Sequence, residues 1–312
     1  MTMSALPAGC IVVGVDGSDD ADRAISWAAQ QAALEGRTLA VVHCTDQPSV
    51  RGASWVDAPG IDHDGLTEAM RAASRRIVTH ARERAALQAP AVSVRTDVLD
   101  VDPREALLDL SATAHLVVLG SRGRGPLRSA VLGSVSASVS RHAHCPVVVC
   151  RPPDHARPPG DRIVVGADGT GASRPVLEFA YAQASLRRVP LTVMHCYWDV
   201  TATHRPVVVA PGEDTDPTDL RLLLAESAAG LAEKYPDVEV TQELARGLVD
   251  ECLADRTPDA GLVVVGRAAT NGWSTFVHAS CALAVLERAH ATVAVVPESP
   301  ESPESPDERN AS

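Results

Sequence analysis

The chain is one sequence unit that occurs twice. Residues 11–44 reappear 152 positions later without an insertion, and both copies begin with the pattern IVVGxDG, at Ile11 and at Ile163. A later pair matches at an offset of 146, HLVVLG from His115 with GLVVVG from Gly261, so the second copy is six residues shorter in its middle. The fold must therefore be one that a single unit can form and that two units can repeat side by side.

The length of 312 residues suits two domains of about 150 residues each. We expect a first domain over residues 9–150 and a second over 162–297. RPPDHARPPGD, residues 151–161, contains four prolines and is interpreted as a linker. The Pro-Glu-Ser repeats of residues 298–312 predict a disordered tail, because they offer almost nothing to bury.

Composition excludes several classes of partner. Forty acidic against 28 basic residues give a net charge of −12, which argues against binding to nucleic acid or to an anionic membrane surface. No apolar run approaches the roughly 18 residues of a membrane span, and the N-terminus does not resemble a signal peptide. The seven cysteines form no framework of spaced pairs and are expected to be reduced. A cytoplasmic protein is the expectation.

Strand-like and helix-like segments alternate along each copy. Ile11 to Val15 is a continuous apolar run typical of a buried strand, and Ser18 is placed to cap the helix that follows. Gly36 ends that helix, and Leu39 to Cys44 form the next strand. The alternation continues to a fifth strand, Pro146 to Cys150, and predicts an α/β fold with a parallel sheet between two helical layers.

In such a sheet, ligands bind beyond the carboxyl ends of the strands, where the strand order reverses. The loops after strands one and four are therefore the candidates. The second loop is rich in glycine, which permits a left-handed backbone and close approach to a phosphate, and a helix that begins at Gly133 and Ser134 suits the same anion. The loop also carries positive charge in an otherwise acidic chain. The residues concerned are Gly120, Gly123, Gly125, Arg122, Arg124 and Arg128.

This loop resembles that of the universal stress protein family. ATP-binding members carry Gly, two residues, Gly, nine residues, Gly and then Ser or Thr, a pattern that Gly120, Gly123, Gly133 and Ser134 match. The resemblance covers both copies. It implies tandem Rossmann-like domains of the adenine nucleotide alpha hydrolase type, each with a five-stranded parallel sheet in the order 3-2-1-4-5 and helices on both faces. It also implies ATP, with Mg²⁺ or Mn²⁺ as a common companion.

The same resemblance assigns roles to residues of the first copy. The glycine-rich loop and the start of the next helix would hold the triphosphate and ribose, Asp16 would lie beside the nucleoside, and the backbone of Cys44 would meet the adenine edge. The full set of expected binding residues is Gly14, Val15, Asp16, Ser18, Cys44, Gly120, Ser121, Arg122, Gly123, Arg124, Gly125, Gly133, Ser134 and Val135.

The second copy departs from the pattern. Gly266, Ala269, Ala279 and Ser280 occupy the four motif positions, so two glycines are replaced by alanine. A left-handed alanine costs about 1 kcal/mol, and its methyl group opposes close approach to a phosphate. A reduced second site would keep Gly166, Asp168, Cys196, Gly266 and Ser280.

Each signal has a structural alternative. The glycine-rich loop could be a tight turn with solvated arginines, and Asp16 could cap a helix. His43 and His195 are interpreted as strand-end residues rather than catalytic bases. A zinc site could be drawn from His142, His144, Cys145 and Cys150, but Ala291 replaces Cys145 in the second copy.

No catalytic residue is assigned. The single lysine, Lys234, is not part of a Walker loop, and neither GxSxG, HExxH nor CxxC occurs. The favoured hypothesis is an ATP-binding regulatory protein of the stress response that acts on a protein partner. The alternatives are a slow ATP hydrolase or a transferase using adenine nucleotide, and an assembly scaffold that binds no nucleotide.

The last strand of each copy would leave an apolar sheet edge. Because the family pairs equivalent strands across a dimer, we expect Pro146 to Cys150 and Thr292 to Val296 to pair within one chain. The result would be an intramolecular pseudo-dimer, with a homodimer of chains left open.

Overall fold

A computed structural model of the chain describes residues 6–45, 63–123, 132–152, 160–197, 207–209, 218–256, 260–267 and 274–299. Several positions named above lie outside these ranges. They are Arg124, Gly125, Arg128, Ala269, most of the linker and the tail from residue 300 onward.

The first unit alternates strands and helices as its sequence predicts. Ser18 caps the first helix by accepting a 3.2 Å hydrogen bond from the Ala21 amide, and Gly36 ends it with a φ of 64°. The elements are β1 Ile11–Gly14, α1 Asp19–Glu35, β2 Leu39–Cys44, α2 His63–Gln88, β3 Val94–Leu99, α3 Pro103–Ser111, β4 Leu116–Gly120, α4 Ser134–His142 and β5 Val147–Cys150.

The second unit repeats this order with additions. A 3₁₀ turn, Gly171–Ser173, precedes its first helix. The elements are β6 Arg162–Gly166, α5 Arg174–Arg187, β7 Leu191–Tyr197, β8 Val207–Val209, α6 Thr218–Ser227, α7 Leu231–Lys234, β9 Val240–Arg246, α8 Val249–Arg256, β10 Ala260–Arg267, α9 Ser274–Arg288 and β11 Thr292–Pro297.

The strands form one 11-stranded sheet in the order β3-β2-β1-β4-β5-β11-β10-β6-β7-β9-β8. The expected order 3-2-1-4-5 is confirmed for the first unit, and its strands are all parallel. The second unit has the same order, but β8 adds a sixth strand antiparallel to β9. β8 consists of three valines, which are too few to carry a periodic pattern in the sequence.

The two units meet through their last strands. β5 and β11 pair antiparallel, with Val148 opposite Ala294, and this confirms the predicted pairing within one chain. Val148 and Ala294 are equivalent positions of the two copies, 146 residues apart, so the junction has an approximate two-fold axis at this pair. Pairing removes two exposed sheet edges at once.

The core has two layers, one on each face of the sheet. Ile11 and Val13 of β1 pack against the alanine-rich side of α1, whereas Val12 packs toward Leu107 of α3. Both layers continue from one unit into the other through β5 and β11. All seven cysteines are free thiols, and no helix within the described ranges has the length and apolarity needed to cross a bilayer.

Candidate functional site

A cleft of about 550 Å³ opens at the carboxyl ends of β1 and β4 in the first unit. This is the place where the strand order reverses, and its volume is in the range of small-molecule sites. Ten of the expected binding residues line it. They are Gly14, Val15, Asp16, Cys44, Gly120, Arg122, Gly123, Gly133, Ser134 and Val135.

The loop after β1 is fixed by a small hydrogen-bonded turn. One oxygen of Asp16 accepts bonds from the Ser18 amide, at 3.0 Å, and from the Ser18 hydroxyl, at 2.7 Å. Gly17 supplies the positive φ of 77° that the turn requires. Because Ser18 is the residue that caps α1, Asp16 holds the cap in place rather than acting as the cap itself.

The loop after β4 is tied to the first turn of α1 by Asp20. One carboxylate oxygen of Asp20 accepts bonds from the Ser121 hydroxyl, at 2.6 Å, and from the Arg122 amide, at 3.0 Å, while the other pairs with Arg23. Sequence reasoning missed this role, because acidic residues are common in the first turn of a helix. One feature of the sequence pointed to this role of Asp20: the second copy, in which the glycine pattern is altered, has Ala172 at the equivalent position.

The two ends of this loop are held together. The Gly133 amide donates to the Ser121 carbonyl at 2.8 Å, and the Ser136 hydroxyl donates to the Gly120 carbonyl at 2.7 Å. Ser121 is buried behind the cleft wall and does not line the cleft. The start of α4 is thereby fixed against the end of β4.

The motif glycines allow neighbouring segments of the chain to approach one another closely. Neither Gly120, Gly123 nor Gly133 has a positive φ, so the expected left-handed backbone is wrong for these three positions. A Cβ on Gly120 would lie 2.7 Å from the Asp20 backbone, and a Cβ on Gly123 would lie 2.7 Å from an oxygen of Asp16. A side chain at Gly120 would therefore clash with the backbone of α1, and one at Gly123 would require the Asp16 carboxylate to move.

The helix α4 begins at the cleft with a glycine as its N-cap. Gly133 has extended backbone, and within the part of the chain that the structure describes no side-chain capping hydrogen bond is made there. An uncapped helix N-terminus presents backbone amides and partial positive charge, which suits an anion. Positive side chains lie close by. Arg122 lines the cleft, and the pKa of Arg151 is lowered by its burial and by the charge of Arg122.

The opposite wall of the cleft is apolar, formed by Val15, Cys44, Pro103, Leu107 and Val135. The loop after β1 contributes Val15 to this wall and is held by His43, whose ring nitrogen Nδ1 donates to the Val15 carbonyl at 2.7 Å. His195 makes the same contact with the Ala167 carbonyl at 2.9 Å. The repeat of this bond supports the interpretation of both histidines as strand-end residues.

The alternative zinc residues have other partners. The ring nitrogen Nδ1 of His144 lies 3.4 Å from the Ser111 hydroxyl, and that of His142 lies 2.9 Å from the Ser138 carbonyl. Burial raises the pKa of both Cys145 and Cys150 to about 12. These two thiols therefore pack as small hydrophobic side chains.

The second unit keeps the first loop of the cleft but changes the second. Asp168 accepts from the Thr170 amide at 2.8 Å and from its hydroxyl at 2.9 Å, as Asp16 does from Ser18. In place of Ser121 stands Arg267, whose buried guanidinium donates to the Ala143 carbonyl of the first unit at 2.5 Å.

The chain beyond β11 covers this part of the second unit. The Glu298 amide donates to the Arg267 carbonyl at 2.9 Å, and the Ser299 amide donates to the Ala172 carbonyl at 3.1 Å. The Glu298 carboxylate lies directly against Gly266. The Glu298 side chain thus lies against Gly266, whereas the backbone of Asp20 lies against the equivalent Gly120 in the first unit.

Three more positions of the expected second site have the following surroundings. Ser280 lies inside α9, which begins at Ser274, so it does not mark a helix N-terminus as Ser134 does. The thiols of Cys196 and Cys252 share a hydrogen bond, which raises the pKa of Cys196 and lowers that of Cys252. Gly166 ends β6 with Leu253 packed against it.

Comparison with known proteins gives consistent matches across both units. The family profile described as "Universal stress protein family" matches residues 9–151 and 160–297. Universal stress protein Rv2623 of Mycobacterium tuberculosis is 33% identical over 294 residues, covering 93% of this chain and 96% of its own. Universal stress protein Rv2005c of the same organism is 34% identical over 296 residues, covering 93% and 97%.

Among solved structures, a universal stress protein from Archaeoglobus fulgidus aligns with a TM-score of 0.66 and 19% identity, covering 93% of this chain and 96% of that one. At this identity the likeness shows a shared fold.

Proposed function

The chain belongs to the universal stress protein family, and from this membership we propose that it is a regulatory protein that binds one adenine nucleotide, ATP, in the cleft of its first unit. The observation that carries the proposal is the clamped glycine loop beside an uncapped helix N-terminus. Backbone amides, a helix dipole and Arg122 together suit a phosphate chain.

The cleft offers different chemistry at its two ends, which supports a nucleotide rather than a free phosphate. The apolar wall around Cys44 and Leu107 would take the adenine, and the glycine loop would take the phosphates. Asp16 is the one carboxylate among the described lining residues, and it would offer an oxygen ligand of the kind that Mg²⁺ or Mn²⁺ prefers. Such an ion would accompany the bound phosphates.

One nucleotide per chain is the expected stoichiometry. In the second unit, Arg267 points across the junction and the Glu298 carboxylate lies at the base of the phosphate loop. A carboxylate at that place would repel a phosphate, and Gly266 is already covered. Among its described residues, the second unit keeps the Asp168 turn but has Ala172 where Asp20 holds the loop of the first unit.

Binding rather than rapid turnover is the proposed role. The described lining residues hold no pair of nucleophile and base, and the nearby His43 ring is engaged with the Val15 carbonyl. We propose that nucleotide occupancy is read by a protein partner in the cytoplasm. Turnover near 1 s⁻¹ or faster with saturating ATP and Mg²⁺ would instead favour the enzyme alternative.

Calorimetry with the Gly123→Ala variant tests the proposal. The added methyl group would press against Asp16 and displace the phosphate loop, so we expect ATP affinity to fall about tenfold or more. Gly171→Ala is the matched control, because no atom lies within 4 Å of its added Cβ and its φ is not positive. Equal affinity in wild type and Gly123→Ala, or two equal sites per chain, would contradict the proposal.

A further inference from the structure

The two units also meet through helices α1 and α5, which lie on one face of the sheet beside the β5–β11 junction. In this stretch the copies are offset by 152 residues, so Gln31 is equivalent to Gln183 and Glu35 is equivalent to Arg187. The glutamines are the same in both copies and are almost fully buried, at 0% and 2% exposure. The second equivalent pair, one helical turn further on, differs in charge, because Glu35 is negative in the first copy and Arg187 is positive in the second.

These four side chains form one hydrogen-bonded network across the junction. Arg187 donates to the Gln31 amide oxygen at 2.5 Å and to Gln183. The amide nitrogen of Gln31 donates to Glu35 at 2.5 Å, and that of Gln183 approaches the same carboxylate oxygen at 3.4 Å. The negative and positive side chains are therefore bridged by the two buried amides.

Both charged groups are held in place by further contacts. Burial alone would raise the pKa of Glu35, but a hydrogen bond from His115 together with Gln31 and Arg37 lowers it, so the carboxylate is ionised. The Arg187 guanidinium lies 5.2 Å from the centre of the Trp27 ring. Burial lowers the pKa of Arg187, and the charge of Glu35 opposes that change.

We propose that the opposite charges at positions 35 and 187 select pairing between a first unit and a second unit and disfavour pairing between like units. An approximate two-fold axis brings equivalent residues together. Two first units joined in this way would bring two Glu35 carboxylates to one buried contact, and two second units would bring two Arg187 side chains there. Like charges in such a contact disfavour the wrong partner.

The strand junction by itself cannot make this selection. On both sides it consists of backbone hydrogen bonds and small apolar residues, Val147 to Val149 against Val293 to Val295. Such a ladder would accept either unit. Two arginines also cross the junction: Arg151 donates to the Leu286 carbonyl, and Arg267 donates to the Ala143 carbonyl. Because their partners are backbone carbonyls, these contacts attract the two units but place no like charges together when two identical units pair.

Charge reversal in the full chain tests the proposal. We expect Glu35→Arg and Arg187→Glu each to lower the melting temperature by about 5 °C or more, and the double variant to melt above the less stable single variant but below wild type, because Arg37 and His115 still face position 35. The exposed positions Glu83→Arg and Arg174→Glu serve as controls and should change it little, since Arg174 lies at the start of α5, where a negative charge is tolerated. If the reversal variants do not fold, Glu35→Gln and Arg187→Gln provide the same cycle with neutral side chains.

A mixing experiment separates partner selection from stability alone. Glu35→Arg and Arg187→Glu chains, given different masses by isotope labelling, are unfolded together and refolded. In a mixed pair each first unit can meet an oppositely charged second unit from the other chain, so native mass spectrometry should show dimers of one chain of each kind. The proposal would be overturned if the double variant melted no higher than the less stable of the two single variants. It would also be overturned if the mixture gave no dimers that contain one chain of each kind.

Discussion

The Asp20 carboxylate accepts a 2.6 Å hydrogen bond from the hydroxyl of Ser121, a residue 101 positions later in the chain. This contact joins the first turn of α1 to the end of β4, and both partners are buried. The backbone of the glycine-rich loop after β4 is therefore positioned by a side chain that is not itself part of the cleft wall. Removing that side chain would loosen the loop without touching a ligand.

We expect Asp20→Ala to weaken ATP binding and to lower the free energy of unfolding by about 2 kcal/mol, because the Ser121 hydroxyl and the Arg122 amide would lose their acceptor. Asp19→Ala, at the exposed neighbouring position, is the control. Calorimetry and urea unfolding measure the two effects. A variant with the affinity of wild type would show that Asp20 does not position the loop.

Asp16 and Asp168 form the same turn in the two units, so they are matched positions. If the working cleft is in the first unit, Asp16→Ala should weaken ATP binding about tenfold, whereas Asp168→Ala should leave it within about twofold. Titration of both variants under the same Mg²⁺ concentration makes the comparison. The reverse ranking would place the nucleotide in the second unit.

Cys44 lines the cleft and is partly exposed, which allows a chemical test of occupancy. Saturating ATP should slow its alkylation by iodoacetamide at pH 8, because a bound base would cover the thiol. Cys145 and Cys150 should remain unmodified with or without nucleotide, since burial raises the pKa of each to about 12. Peptide mass spectrometry reads each site separately, and a rate for Cys44 that ATP leaves unchanged would argue against this position for the base.

Asp102 caps helix α3 and gives a prediction for pH dependence. Its hydrogen bond with Arg104 lowers its pKa from 3.8 to about 2. Because the folded-state pKa is depressed, the carboxylate stabilises the fold above about pH 4, and this contribution is lost as the pH falls toward 2.

Asp102→Asn keeps a capping side chain but cannot titrate, so it isolates the charge. Wild type should exceed the variant in free energy of unfolding at pH 6 by about 0.5 kcal/mol, and the difference should shrink between pH 4 and 3. Urea unfolding at each pH provides the measurement. A difference that stayed constant or grew as the pH fell would show that the charge of Asp102 does not contribute.

Short-range features were predictable because their hydrogen bonds close within a few residues. The Ser18 cap, the Gly36 stop and the alternation of strands with helices follow from local side-chain and backbone chemistry. The internal repeat added one long-range conclusion, since two equal units with apolar last strands can remove both edges by pairing Val148 with Ala294.

The amino-acid sequence thus determined the unit, its repetition, the strand order carried by family resemblance and the position of the glycine loop. The tertiary structure alone decided what each long-range neighbour does. Only the folded chain brings Asp20 to Ser121, places the Glu298 carboxylate against Gly266, and sets Glu35 beside Arg187. Asp20 and Ser121 are 101 positions apart, Glu35 and Arg187 are 152 apart, and Gly266 and Glu298 are 32 apart. Periodicity and spacing report only on neighbours within a turn or a strand, so such contacts have no local signal.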